Sequence, residues 1–210
     1  MDVIEKLGLL LGPSFLSGIN AYATIGFLGL FGRVGWLTLP KGLDVLSHPL
    51  VFGIALGLFL IEFVADKIPA FDSFWHSLQT FVRIPCGALL AYAVAGPVAP
   101  HLKVAAFLLG GTLAASSHGT KAGLRAIANL SPEPVSNWLL SFGEDAFLFV
   151  CIWLIFYLPL IMLGILVVFI VLAVWLFPKM FRAFKAALNK GARLFRPSSA
   201  GSPPSSPRTP

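Results

Sequence analysis

Long apolar runs separated by short polar or proline-containing stretches make up most of the chain. A helix needs about 20 mostly apolar residues to cross a bilayer. Runs of that kind fall at 7–31, 49–67, 74–97, 103–128, 138–157 and 160–178. The last two come from one apolar stretch, 146–177, which is too long for a single span at about 1.5 Å per residue. Pro159 in "FYLPLIM" is where it turns, because proline lacks a backbone donor and disrupts a helix. The third run opens amphipathically. Phe74, Trp75, Leu78, Phe81 and Val82 recur at helical spacing, with His76, Gln79, Thr80 and Arg83 on the other face. Residues 74–84 therefore either span facing protein or lie at the interface, with Asp72 or Ser73 capping the start and Pro85 bending the helix. The pattern predicts an all-α integral membrane protein with about six transmembrane helices.

An internal match gives these spans an organisation. At an offset of 98, Gly12 and Pro13 fall on Gly110 and Gly111, and Asn20 falls on His118. The following span in each half carries acids in an apolar run, Glu62 and Asp66 in one and Glu144 and Asp145 in the other. Copies covering 7–97 and 103–178 would hold three spans each, so the second would insert upside down relative to the first. Inverted repeats of this kind place a binding site near the midplane, often where Gly or Pro interrupts helices. Gly12, Pro13, Gly110 and Gly111 are the expected helix breaks, although Gly pairs also serve close helix packing.

Composition agrees with the pattern. Hydrophobic residues are 57% of the 210 and charged residues 11%, against roughly a quarter charged in soluble domains. Beyond Phe177 there are seven Lys or Arg and no acid, whereas residues 1–177 hold eight basic and nine acidic residues. Residues 1–178 thus read as a polytopic membrane domain and 179–196 as a basic amphipathic juxtamembrane helix suited to anionic lipid head groups. The Pro/Ser tail 197–210 is expected to be disordered. Nucleic-acid binding is not expected, because the basic cluster abuts a span and carries no recognisable module. The positive-inside rule places the carboxyl end in the cytoplasm, and six spans put the amino end beside it. Ala21, Tyr22 and Ala23 resemble a signal-peptidase site, but "MDVIEKL" lacks the positive charge such a leader needs, so the first helix is read as retained.

The candidate chemistry sits on the helical faces. Intramembrane charges cost about 2.5–3.5 kcal/mol each on insertion scales and face protein or a water-filled cavity. His118, Lys121 and Arg125 share one stripe, as do Glu62 and Asp66, while Ser17, Asn20 and Thr24 form a neutral polar stripe. Glu144 and Asp145 point about 100° apart. Pairing of Lys121 or Arg125 with Glu144 or Asp145 would neutralise part of this set. The whole group, with Arg83, reads as a polar cavity for a small solute or ion, in which the cations attract an anionic group and Glu62, Glu144 or His118 exchange protons. No HExxH, GxSxG or phosphate-binding loop is present, so no enzyme, cofactor or metal site is expected. Cys86 and Cys151 read as packed thiols. Nothing in the pattern decides between a monomer and a homo-oligomer.

The segments "SGINAYAT", "EFVADKIPAFDSFW", "TFVRIPCGALL", "GGTLAASSHGTKAGLRA", "NLSPEPVSN" and "GED" together resemble the bacterial membrane family of domain of unknown function 4126, over about residues 7–177. The resemblance implies a polytopic protein of the bacterial inner membrane and carries no activity, substrate or site residue. Two functional classes follow from the residues themselves. One is a small transporter or permeation module, proton-coupled through its buried acids or histidine. The other is a structural or lipid-head-group-binding membrane protein without transport.

Overall fold

Every α-helix after the first begins at a proline. The computed structural model describes residues 3–65, 69–128 and 134–194. Its elements are α1 (Val3–Arg33), a 3-10 helix (Lys41–Ser47), α2 (Pro49–Ala65), α3 (Pro69–Ala95), α4 (Pro100–Ala128), α5 (Pro134–Tyr157) and α6 (Pro159–Leu194). Proline suits the first helical position because its fixed φ is helical and the N–H it lacks would have no partner within the helix. The turn expected at Pro159 is therefore the α5–α6 junction. No strand occurs among the described residues. Asp66 and Glu133 lie outside those residues, as do the side chains of Asp72, Ser73, Phe74, Trp75 and His76.

The chain is helical and apolar enough to be membrane-embedded, with four or five candidate spans where the pattern predicts six. By length and composition four helical segments can cross a membrane, Val3–Arg33, Leu78–Ala95, Trp138–Tyr157 and Pro159–Leu176. A fifth arises if Lys41–Ser47 and Pro49–Ala65, bent by 68°, act together. α4 has 29 residues, long enough to span, yet Ser116, Ser117, His118, Thr120, Lys121 and Arg125 make it too polar for the same test. Such a helix is stable in a bilayer only when neighbours cover that face.

α1 departs from a simple span in another way. Gly8 packs on Pro159, whose Cβ lies 3.1 Å from where a Cβ on the glycine would sit, and the Tyr157 hydroxyl donates to the Trp36 carbonyl at 2.9 Å. Glu5 and Leu9 share a cleft with Trp36, Leu37 and Thr38. A straight helix would hold residues 8 and 36 about 40 Å apart, so the chain reverses between them. The reversal is at Asn20, whose backbone is extended, with φ −154° and ψ 102°. Its Oδ1 accepts the Ala23 N–H at 2.9 Å, which caps the second half of the hairpin as asparagine does at helix starts. Gly12 and Pro13 continue the first half without leaving helical geometry, and Gly110 and Gly111 lie within α4.

Small residues let the first half of α1 pack closely against α3 and α4. Ser14 Oγ donates to the Gly87 carbonyl at 2.9 Å and Ser17 Oγ to the Arg83 carbonyl at 2.8 Å, so these two segments run antiparallel. Ser117 Oγ donates to Phe15 O at 2.8 Å and Lys121 Nζ to Ile19 O at 3.0 Å, so α4 runs parallel to the same half. Inverted copies would run in opposite directions, so this pair of segments does not carry the inverted repeat suggested by the offset of 98. A Cβ on Gly18 would overlap both Ser117 Oγ and the Ala114 carbonyl; only glycine permits that approach. The second half of α1 packs through Phe27 on Phe59 of α2 and Phe149 of α5, with ring centroids 5.4 and 4.3 Å away.

This first compact unit is Met1–Ala173, and Val174–Pro210 forms a second. In the second, Lys179 Nζ stands 3.1 Å over the Trp175 ring and Arg182 Nε donates to the Pro178 carbonyl at 3.2 Å. A tryptophan with an adjoining cation is the usual pattern where a span meets the polar interface.

Candidate functional site

The site forms around the tip of the α1 hairpin, because ending one helix and starting another at Asn20 turns backbone carbonyls of residues 18 and 19 toward neighbouring helices. Ile19 and Gly18 lose the helical partners that their carbonyls would have in an unbroken run. Cationic side chains from α3 and α4 meet them. Lys121 Nζ donates to Ile19 O at 3.0 Å, and Arg83 Nη1 lies 3.5 Å from Gly18 O. A carbonyl-rich helix end carries partial negative charge, which favours cations there.

Arg83 is the centre of the first cluster and is fully buried. Its Nη2 pairs with Glu62 Oε1, and its Nε donates to Gln79 Oε1 at 2.6 Å. Nη1 donates to His118 Nδ1 at 3.1 Å. Arginine can only donate, so Nδ1 acts as the acceptor and the ring proton belongs on Nε2, which meets Thr80 Oγ1 at 2.8 Å. One guanidinium thereby joins α2, α3 and α4 beside α1. Glu62 Oε2 and Gln79 Nε2, from side chains on that same guanidinium, are buried and have no hydrogen bond among the described residues. Native proteins leave few such groups.

The second cluster joins α4 to α5. Glu144 Oε2 accepts from Lys121 Nζ at 3.0 Å and from Arg125 Nη2 at 2.8 Å. Glu144 lies six residues into the apolar segment Trp138–Tyr157, so the pair is inside the apolar zone. Both cations are nearly fully buried while the Glu144 side chain retains 14% exposure.

Of the expected residues, Glu62, Arg83 and His118 meet in one cluster and Lys121, Arg125 and Glu144 in the other, while the Asn20 side chain caps the second half of α1. Asp145 is half-buried and makes an interaction of its own. Asp66 lies outside the described residues. Gln79 and Thr80 take part although only their place on a polar face was legible, and the Ile19 carbonyl had no signal of its own. Among the described residues no three His, Cys, Asp or Glu side chains converge to hold a metal. Cys86 and Cys151 are free thiols in separate helices.

The family described as "Domain of unknown function (DUF4126)" matches residues 7–179. No curated protein and no solved structure matches the chain.

Proposed function

The chain belongs to that family, of domain of unknown function 4126, and since the description names no activity, we propose from the geometry that it is a small transporter or permeation module whose path passes the tip of the α1 hairpin. The observation that carries this reading is the Asn20 break, which turns the Gly18 and Ile19 carbonyls toward buried Arg83 and Lys121. Interrupted helices whose ends face a polar site are a recurrent device for binding solutes and ions inside a bilayer. Glu62 and His118 supply groups able to exchange a proton, and the hydrogen-bonding capacity left on Glu62 and Gln79 gives a solute or proton something to bind.

On this reading the protein is multi-pass in a bacterial inner membrane. The basic run after Phe177 supports a cytoplasmic carboxyl end in reach of anionic lipid head groups. With α1 folding back, our reading takes α2 to α6 as five crossings, which differs from the six-span expectation in setting the amino end opposite the carboxyl end.

The test is ligand-dependent thermal stabilisation of the purified protein in mild detergent against ions, organic anions and lipid phosphates, followed by flux of any hit in liposomes. Arg83→Met and Glu62→Gln should abolish both responses. Flux by the wild type that both variants retain would overturn the reading. A second reading, a structural or lipid-head-group-binding protein without transport, is favoured by how completely Glu144 engages both Lys121 and Arg125. It predicts stabilisation by lipid phosphates with no flux of any solute.

A further inference from the structure

Lys121 is placed as an ion would be. Its stem descends from α4, and its ammonium contacts two oxygens of different origin, the Ile19 carbonyl at 3.0 Å and Glu144 Oε2 at 3.0 Å. The carbonyl faces it because Asn20 ends the first half-helix one residue later. The carboxylate lies within the apolar length of α5, so both oxygens strongly favour a positive charge in a poorly solvated place. The residue's exposure is 5%. Across the hairpin tip, one residue back along α1, Gly18 O faces Arg83 at 3.5 Å, and Glu62 Oε2 beyond it carries no donor. Glu62 Oε2 is thus an oxygen that the cluster's cations leave unused.

We propose that the Ile19 carbonyl and the Glu144 carboxylate form a site for an ammonium-type cation, NH4+ or a primary alkylammonium, which Lys121 fills from within as a tethered competitor. A lysine head group is a compact, rotatable cation with three donors, and free ammonium offers the same donors without the stem. Ammonium can present directed N–H donors to these oxygens as the lysine head group does, and alkali ions have no donor to present. That a permeating cation takes this place when Lys121 swings aside rests on the transport reading; the site itself does not.

The experiment compares full-length wild type with Lys121→Ala, Lys121→Met and Lys121→Ala/Glu144→Gln by thermal unfolding in detergent, adding ammonium, methylammonium, potassium or sodium chloride at equal ionic strength. Lys121→Ala should melt several degrees below wild type, and millimolar ammonium or methylammonium should recover more than half of that loss while potassium and sodium do not. A ligand that binds only the folded state raises its stability in proportion to the logarithm of its saturation. Lys121→Met keeps a stem in the space and should not respond, and removing the Glu144 charge should abolish the response. If Lys121→Ala is recovered folded only when ammonium is present during purification, that is the same result in another form. Equal effects of ammonium and potassium, rescue that survives Glu144→Gln, or failure of every cation to recover the alanine variant would each overturn the site. Ammonium-specific rescue without flux of any solute leaves the site standing and removes the transport reading, whereas flux without rescue does the reverse.

Discussion

Arg83 and Glu62 form an ion pair in which neither side chain has any exposure, between two helices that share few other contacts. Deleting one partner of such a pair leaves an uncompensated buried charge and costs about 3–5 kcal/mol. Glu62→Gln and Arg83→Met should each lower the melting temperature strongly. The double variant should recover part of the loss, because no lone charge then remains. A thermodynamic cycle over the four proteins measures this; additive losses would show that the two side chains do not act as a pair.

The hairpin tip depends on a capping side chain and a missing one. Asn20→Ala removes the acceptor of the Ala23 N–H and should cost about 1 kcal/mol, while Asn20→Asp retains the cap. Gly18→Ala should be far worse, since its Cβ would enter the space of Ser117 and Ala114. Gly57→Ala in α2 meets nothing within 4 Å and serves as the control, expected to leave folding unchanged or slightly improved. Monodisperse yield and melting temperature of the four variants decide the order.

Reporter fusions at the two ends should report opposite sides of the membrane, the carboxyl end in the cytoplasm. A straight, crossing α1 would put both ends on one side. Single cysteines introduced at exposed Val3 and at Lys179, in a background lacking Cys86 and Cys151, give an independent reading through membrane-impermeant thiol labelling.

Lys179→Gln together with Arg182→Gln should weaken lipid preference. Each basic residue near an anionic surface contributes about 1 kcal/mol, screened by salt. Native mass spectrometry or vesicle competition with phosphatidylserine should show weaker retention for the double variant, and a difference that disappears in high salt.

Much of this architecture is legible residue by residue. Pro159 marks the junction of the last two helices, and the stripe His118, Lys121 and Arg125 foretells a buried polar face because spacing of three and four is enough to align side chains. Charge burial leads one to expect Lys121 or Arg125 to pair with Glu144 or Asp145, and the structure selects Glu144 for both cations. The break in α1 is different in kind. Ser17, Asn20 and Thr24 at helical spacing fit an unbroken amphipathic helix equally well, and Gly12–Pro13 offers a stronger local signal for a break. Pro13 stays helical and Asn20 turns, a choice made by tertiary contacts. Gly18 lies against Ser117 and Ala114 of α4, and Lys121 satisfies the Ile19 carbonyl that the stop releases. Such a decision is distributed over helices separated by 100 residues of sequence and leaves no periodic trace. Length and apolarity alone likewise count α1 as a span, because they carry no sign of the break at Asn20.

The reversal at Asn20 also constrains how the protein can be made. When α1 emerges from the ribosome, ahead of α3 and α4, it is an apolar segment of 31 residues whose final hairpin is fastened by Arg83, Ser117 and Lys121, none yet synthesised. The carbonyls at Gly18 and Ile19 have their eventual partners only after α3 and α4 arrive. α1 therefore adopts its final form after the helices that follow it, and synthesis order and assembly order run in opposite directions. A nascent chain arrested before Lys121 should hold α1 in a different arrangement from the finished protein, one in which its two ends are still apart.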